Sequence, residues 1–184
     1  MIEDKERWNK RFVEFPMPEH VTGILEKYID EVNVGEALDV ACGTGRNTHF
    51  LADRGFSVDA VDISDYALSK VKKHAAINKI DADLDKYNIM PNKYDLIVNT
   101  NFLNRRLTSQ MKDGLKSGGV IVFETFILAH GDFKHETTNL DYLLRKNELL
   151  HTFIGLDVIY YEERIDVNLR GEKIKLASLV AKKA

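Results

Sequence analysis

Four residues between positions 39 and 62 have the types and spacing to hold a charged ligand. Gly43 and Gly45 stand one residue apart in "LDVACGTGRNTHFLA", between an apolar run and a helix-like stretch. Without a Cβ, each lets the backbone turn tightly and approach a bound molecule closely. Asp39 comes just before that turn, and Asp62 closes the next apolar run, about twenty residues further on. A glycine turn with a carboxylate that far downstream suits a nucleoside ligand, the carboxylate accepting hydrogen bonds from both ribose hydroxyls.

The identity of that ligand follows from what the turn contains and lacks. A dinucleotide turn has a third glycine, which allows the helix to pack closely on its strand. The window here reads "GTGRNT", with Thr48 in that place. Asp39 would also repel a pyrophosphate approaching the same turn, whereas it would attract a cation. The sulfonium and ammonium of S-adenosylmethionine have the required charge, so this cofactor is expected in preference to NAD.

These residues need a scaffold, and the hydrophobic pattern supplies one. Residues 1–32 read as an N-terminal helical cap, in which "PEHVTGILEKYIDEV" sets Val21, Ile24, Leu25, Tyr28 and Ile29 on one face. Pro16 and Pro18 separate it from a first segment that contains Trp8. "EALDVA", "FSVDAVDI", "AINKIDADLDKY", "YDLIVNT" and "VIVFETF" give five strands, the third with the thinnest apolar signal. Between them "RNTHFLADRG" reads as a helix stopped by Gly55. Ser64 caps a helix bearing Leu68, Val71 and Ala75, and "LTSQMKDGLKSGG" forms a third helix ending at a glycine pair. After a helix around "LDYLLRKNELLHTF", the runs "LDVIYYEERIDV" and "EKIKLASLVAKK" flank "NLRG" as an antiparallel hairpin. The expected fold is α/β: a doubly wound, seven-stranded, mostly parallel, Rossmann-like sheet ending in that hairpin, with residues 1–184 as a single domain.

Composition narrows the partners. The 184 residues carry a net charge of −3, so no global field draws in nucleic acid or an anionic membrane, despite the local clusters "KVKKH" and "NRRL". The single cysteine, Cys42, allows neither an internal disulfide nor a multi-cysteine metal site, and no metal is expected. "MIEDKERWNKRF" has no apolar signal region, and no run of about eighteen apolar residues occurs. A cytoplasmic protein without a membrane segment is expected. The hairpin edge could pair two subunits, or charges such as Lys173 and Lys175 could keep it from pairing, so monomer and homodimer both stand.

"LDVACGTGRNTHFLADRGFSVDAVDIS" resembles the cofactor motif and second strand of class I S-adenosylmethionine-dependent methyltransferases. "DADLDKY", "YDLIVNTNFLNRRL" and "LKSGGVIVFETF" resemble the later segments in the same order. "CGTGRN" with "FLNRRL" is most similar to the tellurite-resistance methyltransferase family and its small relatives. The resemblance implies that Asp39, Gly43 and Gly45 line the methionine end, and that Asp62 and Ile63 meet the ribose and adenine. It also implies that Asp83 and the Leu84 backbone contact the adenine amino group, with Asp81 and Asp85 as rivals, and that Asn99 sits near the transferred methyl. Trp8 and Arg11 match a "W..R" element that in similar enzymes closes over the cofactor, with Arg11 reaching its carboxylate.

The acceptor leaves fewer traces. "NTNF" stands where base amino-group methylation would show an N-P-P-Y-like stretch, and carbon-5 pyrimidine chemistry lacks a cysteine away from the cofactor loop. A small-molecule acceptor is therefore expected, such as a thiol or a selenium or tellurium compound. The alternatives are an RNA or protein methyltransferase, or a cofactor-binding module without catalysis. His130 and His135, near the expected acceptor mouth, are candidate bases. Arg105, with Arg106, is a candidate clamp for an oxyanion. Glu124 and Thr125 shape the pocket, and Tyr160, Tyr161, Glu162 and Glu163 read as strand residues of the hairpin.

Overall fold

The computed structural model describes residues 2–15, 17–135 and 139–184. Seven strands form one sheet: β1 (Glu36–Val40), β2 (Ser57–Asp62), β3 (Ile77–Asp81), β4 (Tyr94–Thr100), β5 (Leu115–Phe126), β6 (Asp157–Val167) and β7 (Lys173–Lys182). Their order is β3-β2-β1-β4-β5-β7-β6. β1 to β5 run parallel, and β7 enters antiparallel between β5 and β6. The order reverses between β1 and β4, which opens a crevice at the carboxyl ends of these strands.

The apolar runs are nearly continuous because the central strands are covered on both faces. On one face Leu38, Ile97, Ile121, Phe123 and Leu179 pack with Leu107 and Met111 of α5 (Arg105–Gly114) and Leu149 of α6 (Glu148–Thr152). On the other, Ala37, Val58, Leu96, Val98, Val122 and Val180 meet Ile24 and Leu25 of α2 (Gly23–Tyr28) and Leu51 of α3 (Arg46–Asp53). β3 forms one edge of the sheet and is largely exposed, which explains its thin apolar signal.

α1 (Ile2–Glu14) lies against α4 (Asp65–Lys70) through polar contacts. Lys5 Nζ is 3.1 Å from Asp65 and 2.6 Å from Asp81. Asn9 donates to Asp65 at 2.8 Å and accepts from the Ser64 hydroxyl at 2.6 Å. Of the two prolines expected to part the N-terminal helices, Pro16 lies outside the described residues.

Several boundaries differ from the sequence expectation. The second helix of the cap is shorter: α2 ends at Tyr28 and one 3-10 turn, Ile29–Glu31, follows. α4 stops at Lys70, because the Lys79 ammonium bonds the carbonyls of Leu68 and Val71, so Ala75 lies beyond it. α5 ends at Gly114, and "LKSGG" belongs to β5, where Leu115 pairs with Tyr94. The helix expected around residues 140–153 is broken into a 3-10 turn (Leu140–Tyr142) and α6. Leu144 pairs instead with the backbone beside β5, taking a bond from Leu128 N–H and giving one to Phe126 O. Finally, β6 and not β7 forms the sheet edge. Lys173 and Lys175 sit on the inner strand, paired with Asp132 and Glu163, and do not guard that edge.

Candidate cofactor cleft

The turn between β1 and α3 depends on left-handed backbone at Ala41 (φ 54°), Gly43 (φ 56°) and Gly45 (φ 86°). A Cβ on Gly43 would lie 3.2 Å from the Phe12 ring, and one on Gly45 would lie 2.9 Å from a Val71 methyl. The first glycine therefore lets α1 close on the loop, and the second lets the loop settle on α4. Asp62 fastens the turn: one carboxylate oxygen accepts from Gly43 N–H and the other from Ser64 N–H, both at 2.8 Å. Burial raises the Asp62 pKa despite these N–H groups and that of Ile63.

Behind the turn lies Asp39, 1% exposed, its carboxylate accepting the Thr48 hydroxyl at 2.6 Å. Burial lifts its pKa from 3.8 to about 7, opposed by the Thr48 bond and the field of Arg46. Thr48 thus has work where a dinucleotide turn has glycine: it holds a buried carboxylate. Asn47, the next buried polar side chain, accepts from Thr22 N–H at 3.0 Å and donates to Thr100 Oγ1 at 3.1 Å. It ties α2, α3 and β4 together at the rim.

These elements enclose a cleft. Trp8, Phe12, Met17 and Pro18 cover it, and Ala41–Thr44, Arg46 and Asn47 form its floor. Asp62 and Ile63 stand on one side with Leu84, and Thr100–Phe102 on the other.

Trp8, Gly43, Asp62, Ile63 and Leu84 line this cleft, Asp39 lies behind it, and Gly45 caps the N-terminus of α3. The other expected residues lie elsewhere. Asp83 bends its own loop by accepting from Asp85 N–H, Asp81 pairs with Lys5, and Asp85 accepts from Asn104, so none of the three is in the wall. Asn99 is fully buried, donating to Phe102 O at 2.7 Å. The Arg11 guanidinium packs 5.8 Å from the Trp8 ring and 5.9 Å from that of Phe15, outside the wall.

The candidate acceptor groups also lie elsewhere. Arg105 binds Glu148 at 2.7 Å and the carbonyls of Asp141 and Leu143, so it braces α5 against the following loop. Arg106 binds Asn88 and the carbonyls of Leu84 and Tyr87. His135 Nε2 accepts from Ala129 N–H at 3.2 Å, and His130 is exposed. None of these four lines the cleft.

Sequence reasoning passed over Arg46, Phe12, Asn47 and Thr100, which do line it. Only Arg46 carried a signal, its place directly after the glycines. A second pocket opens over β5, β7 and β6, where Glu124, Tyr160, Glu162, Arg164 and Ser178 meet Lys27 and Tyr28. Glu124 accepts there from Ser178 at 2.6 Å and from Arg164 at 3.0 Å. Tyr160 and Glu162 lie on β6 of the hairpin, as read from the sequence, and the Tyr160 ring packs on Tyr28.

Among the described residues no helix is long and apolar enough to cross a membrane. Residues 37–119 match a family described as a methyltransferase domain. The ubiquinone biosynthesis O-methyltransferase of Nitrosomonas europaea is 26% identical over 147 residues, 72% of this chain and 63% of that protein. The chain therefore spans less than two thirds of that relative. The crystal structure of TehB from Haemophilus influenzae superposes with a TM-score of 0.78 at 22% identity, covering 96% of this chain and 67% of that one. The Haemonchus contortus phosphoethanolamine N-methyltransferase 2, in complex with phosphomonomethylethanolamine and S-adenosylhomocysteine, superposes with a TM-score of 0.67 at 16% identity, covering 87% and 51%. The matched segment is thus similar to a methyltransferase domain, and the seven-stranded fold is the one shared with TehB.

Proposed function

We propose that the protein binds S-adenosylmethionine in this cleft and transfers its methyl group to a small-molecule acceptor. The observation that carries the reading is Asp39, a fully buried carboxylate held behind the glycine turn and beside a second acid, Asp62. Two carboxylates around the turn, one behind it and one at its side, favour a cationic ligand, and the turn admits it closely. Asp62 would hold the ribose diol, with Ile63 and Leu84 as apolar walls for the base. Asp39 would supply the field that favours ammonium and sulfonium.

When bound, the cofactor supplies a methyl on cationic sulfur: an acceptor lone pair bonds the carbon as the carbon–sulfur pair returns to sulfur. The chain's part is to align and to exclude water. Trp8, Phe12 and Met17 close one side, and Phe102 presents an apolar wall beside Thr100. None of His130, His135, Arg105 and Arg106 reaches the cleft. An acceptor that needs little deprotonation at neutral pH, such as a thiol or a chalcogen oxyanion, suits it best.

A small acceptor is favoured over RNA because Arg46 is the one basic side chain in the wall among the described residues. The relative named for ubiquinone biosynthesis and the neighbour holding phosphomonomethylethanolamine agree with that choice. Calorimetry with S-adenosylhomocysteine and NADH tests the cofactor. Binding of the first and not the second, lost in Asp62→Ala, is expected; NADH binding alone would overturn the reading. Dialysed protein with labelled cofactor, offered thiols, selenite, tellurite, RNA and cell protein, tests the acceptor. Label entering only RNA or protein would refute the small-molecule assignment.

A further inference from the structure

Arg46 differs from Arg105, Arg106 and Arg164. Arg105, Arg106 and Arg164 are each bound to a carboxylate, an amide or carbonyl oxygens. The Arg46 side chain makes no hydrogen bond and no ion pair within 4 Å among the described residues, yet it lines the cleft. Desolvation lowers its pKa, partly offset by the fields of Asp39 and Glu124. A guanidinium withdrawn from water without a partner is costly, and a planar oxyanion accepting two of its N–H groups relieves that cost.

Its place defines which anion that would be. The two carboxylates that feel it end β1 and β5, and β4 lies between these strands, with Asp39 beside Val98 and Glu124 beside Thr100. The next residue, Asn47, donates to Thr100 Oγ1 at the end of β4, so this part of the loop lies toward β4, whereas Asp62 and Ile63, the nucleoside side, stand at the end of β2, on the other side of β1. Asp39 and Arg46 are coupled electrically without being paired, one negative and one positive beside the same loop. An α-amino acid group, ammonium and carboxylate on one carbon, fits between two such charges.

We propose that Arg46, and not Arg11, binds the carboxylate of the cofactor's amino-acid end, with Asp39 favouring the neighbouring ammonium. The assignment rests on the methyltransferase reading and deepens it. It makes Arg46 the residue that separates ligands bearing the amino-acid end from nucleosides without it.

The test is calorimetry with two probes, S-adenosylhomocysteine and 5′-methylthioadenosine, which lacks the amino-acid group. Arg46→Met keeps the aliphatic stem and removes the charge. It is expected to weaken S-adenosylhomocysteine by about 10- to 100-fold, the worth of a charge-assisted bidentate contact. The same change leaves 5′-methylthioadenosine within about twofold, since no charged contact is lost. Arg46→Lys, with charge but no fork, falls between. Equal weakening of both probes would mean that Arg46 only shapes the loop, and unchanged affinity for both would mean that it serves another anion, such as one on the acceptor. Either result overturns the assignment while leaving the cofactor reading intact. Wild-type protein that binds neither probe would overturn both.

Discussion

Asp39 gives the most quantitative forecast, since one group should make apo stability and ligand affinity move in opposite directions with pH. Its folded pKa is about 7 against 3.8 unfolded, because burial penalises the charge. Between these values the unfolded chain has lost the proton that the folded chain keeps. Stability of the free protein therefore falls as pH rises through this window and levels off above 7. Relative to Asp39→Asn, which does not titrate, the wild type should lose roughly 2.5 kcal/mol between pH 5 and pH 8. Binding runs the other way, because an ammonium is favoured only by the ionised acid. Below pH 7 the competent fraction drops about tenfold per unit, so affinity for S-adenosylhomocysteine should fall about tenfold from pH 8 to pH 6. Asp39→Asn should bind weakly at both pH values with no slope. Urea melts and calorimetry at pH 5, 6, 7 and 8 read both arms. A flat wild-type affinity profile, or a slope that persists in Asp39→Asn, would refute the reasoning. His49, beside the loop, has its pKa lowered by burial and should contribute little above pH 6.5, and Asp62, whose pKa burial raises, is present in both proteins, so the difference between them reads Asp39.

Three other substitutions probe separate parts of the site. Gly43→Ala puts a Cβ against the Phe12 ring at a left-handed φ, and should weaken S-adenosylhomocysteine at least about tenfold while costing about 1 kcal/mol of stability, read by calorimetry and urea melts. Asn47→Ala leaves the buried Thr22 N–H without its acceptor and should lower stability by about 1–3 kcal/mol in a urea melt. Arg105→Ala removes the brace to Glu148; it should cost about 1 kcal/mol in the same melt and leave S-adenosylhomocysteine affinity unchanged. A large loss of affinity there would return Arg105 to the site.

The sequence was most legible where one physical demand dominates. The runs at β1, β2, β4 and β5 are apolar because both faces of each strand are covered, so they announce themselves. Gly43, Gly45 and Asp62 could be singled out because a turn needs the first two and a fixed distance separates the third. Element ends were less legible because distant groups set them. α4 is stopped by Lys79 from β3, and the break between residues 142 and 148 follows from Leu144 pairing beside β5. Neither partner is local in sequence. The same limit applies to side chains: the types of Arg46, Arg105 and Arg106 are identical, and only the tertiary structure separates the one left unpaired in the cleft from the two consumed by carbonyls and a carboxylate. Asp83 looked equivalent to Asp81 and Asp85 for that reason too.

The placement of β7 has a consequence for how the chain is made. The last strand of the sheet in sequence is an inner one, bonded to β5 on one side and β6 on the other. Until it leaves the ribosome, β5 presents an unpaired apolar flank, and nothing earlier in the chain fills that slot. Deleting Lys173–Lys182 would therefore open a seam between β5 and β6 and expose Val122, Phe123 and their neighbours to other chains. Nascent chains arrested short of residue 182 should be clients for chaperones, and emergence of β7 should trigger closure of the sheet.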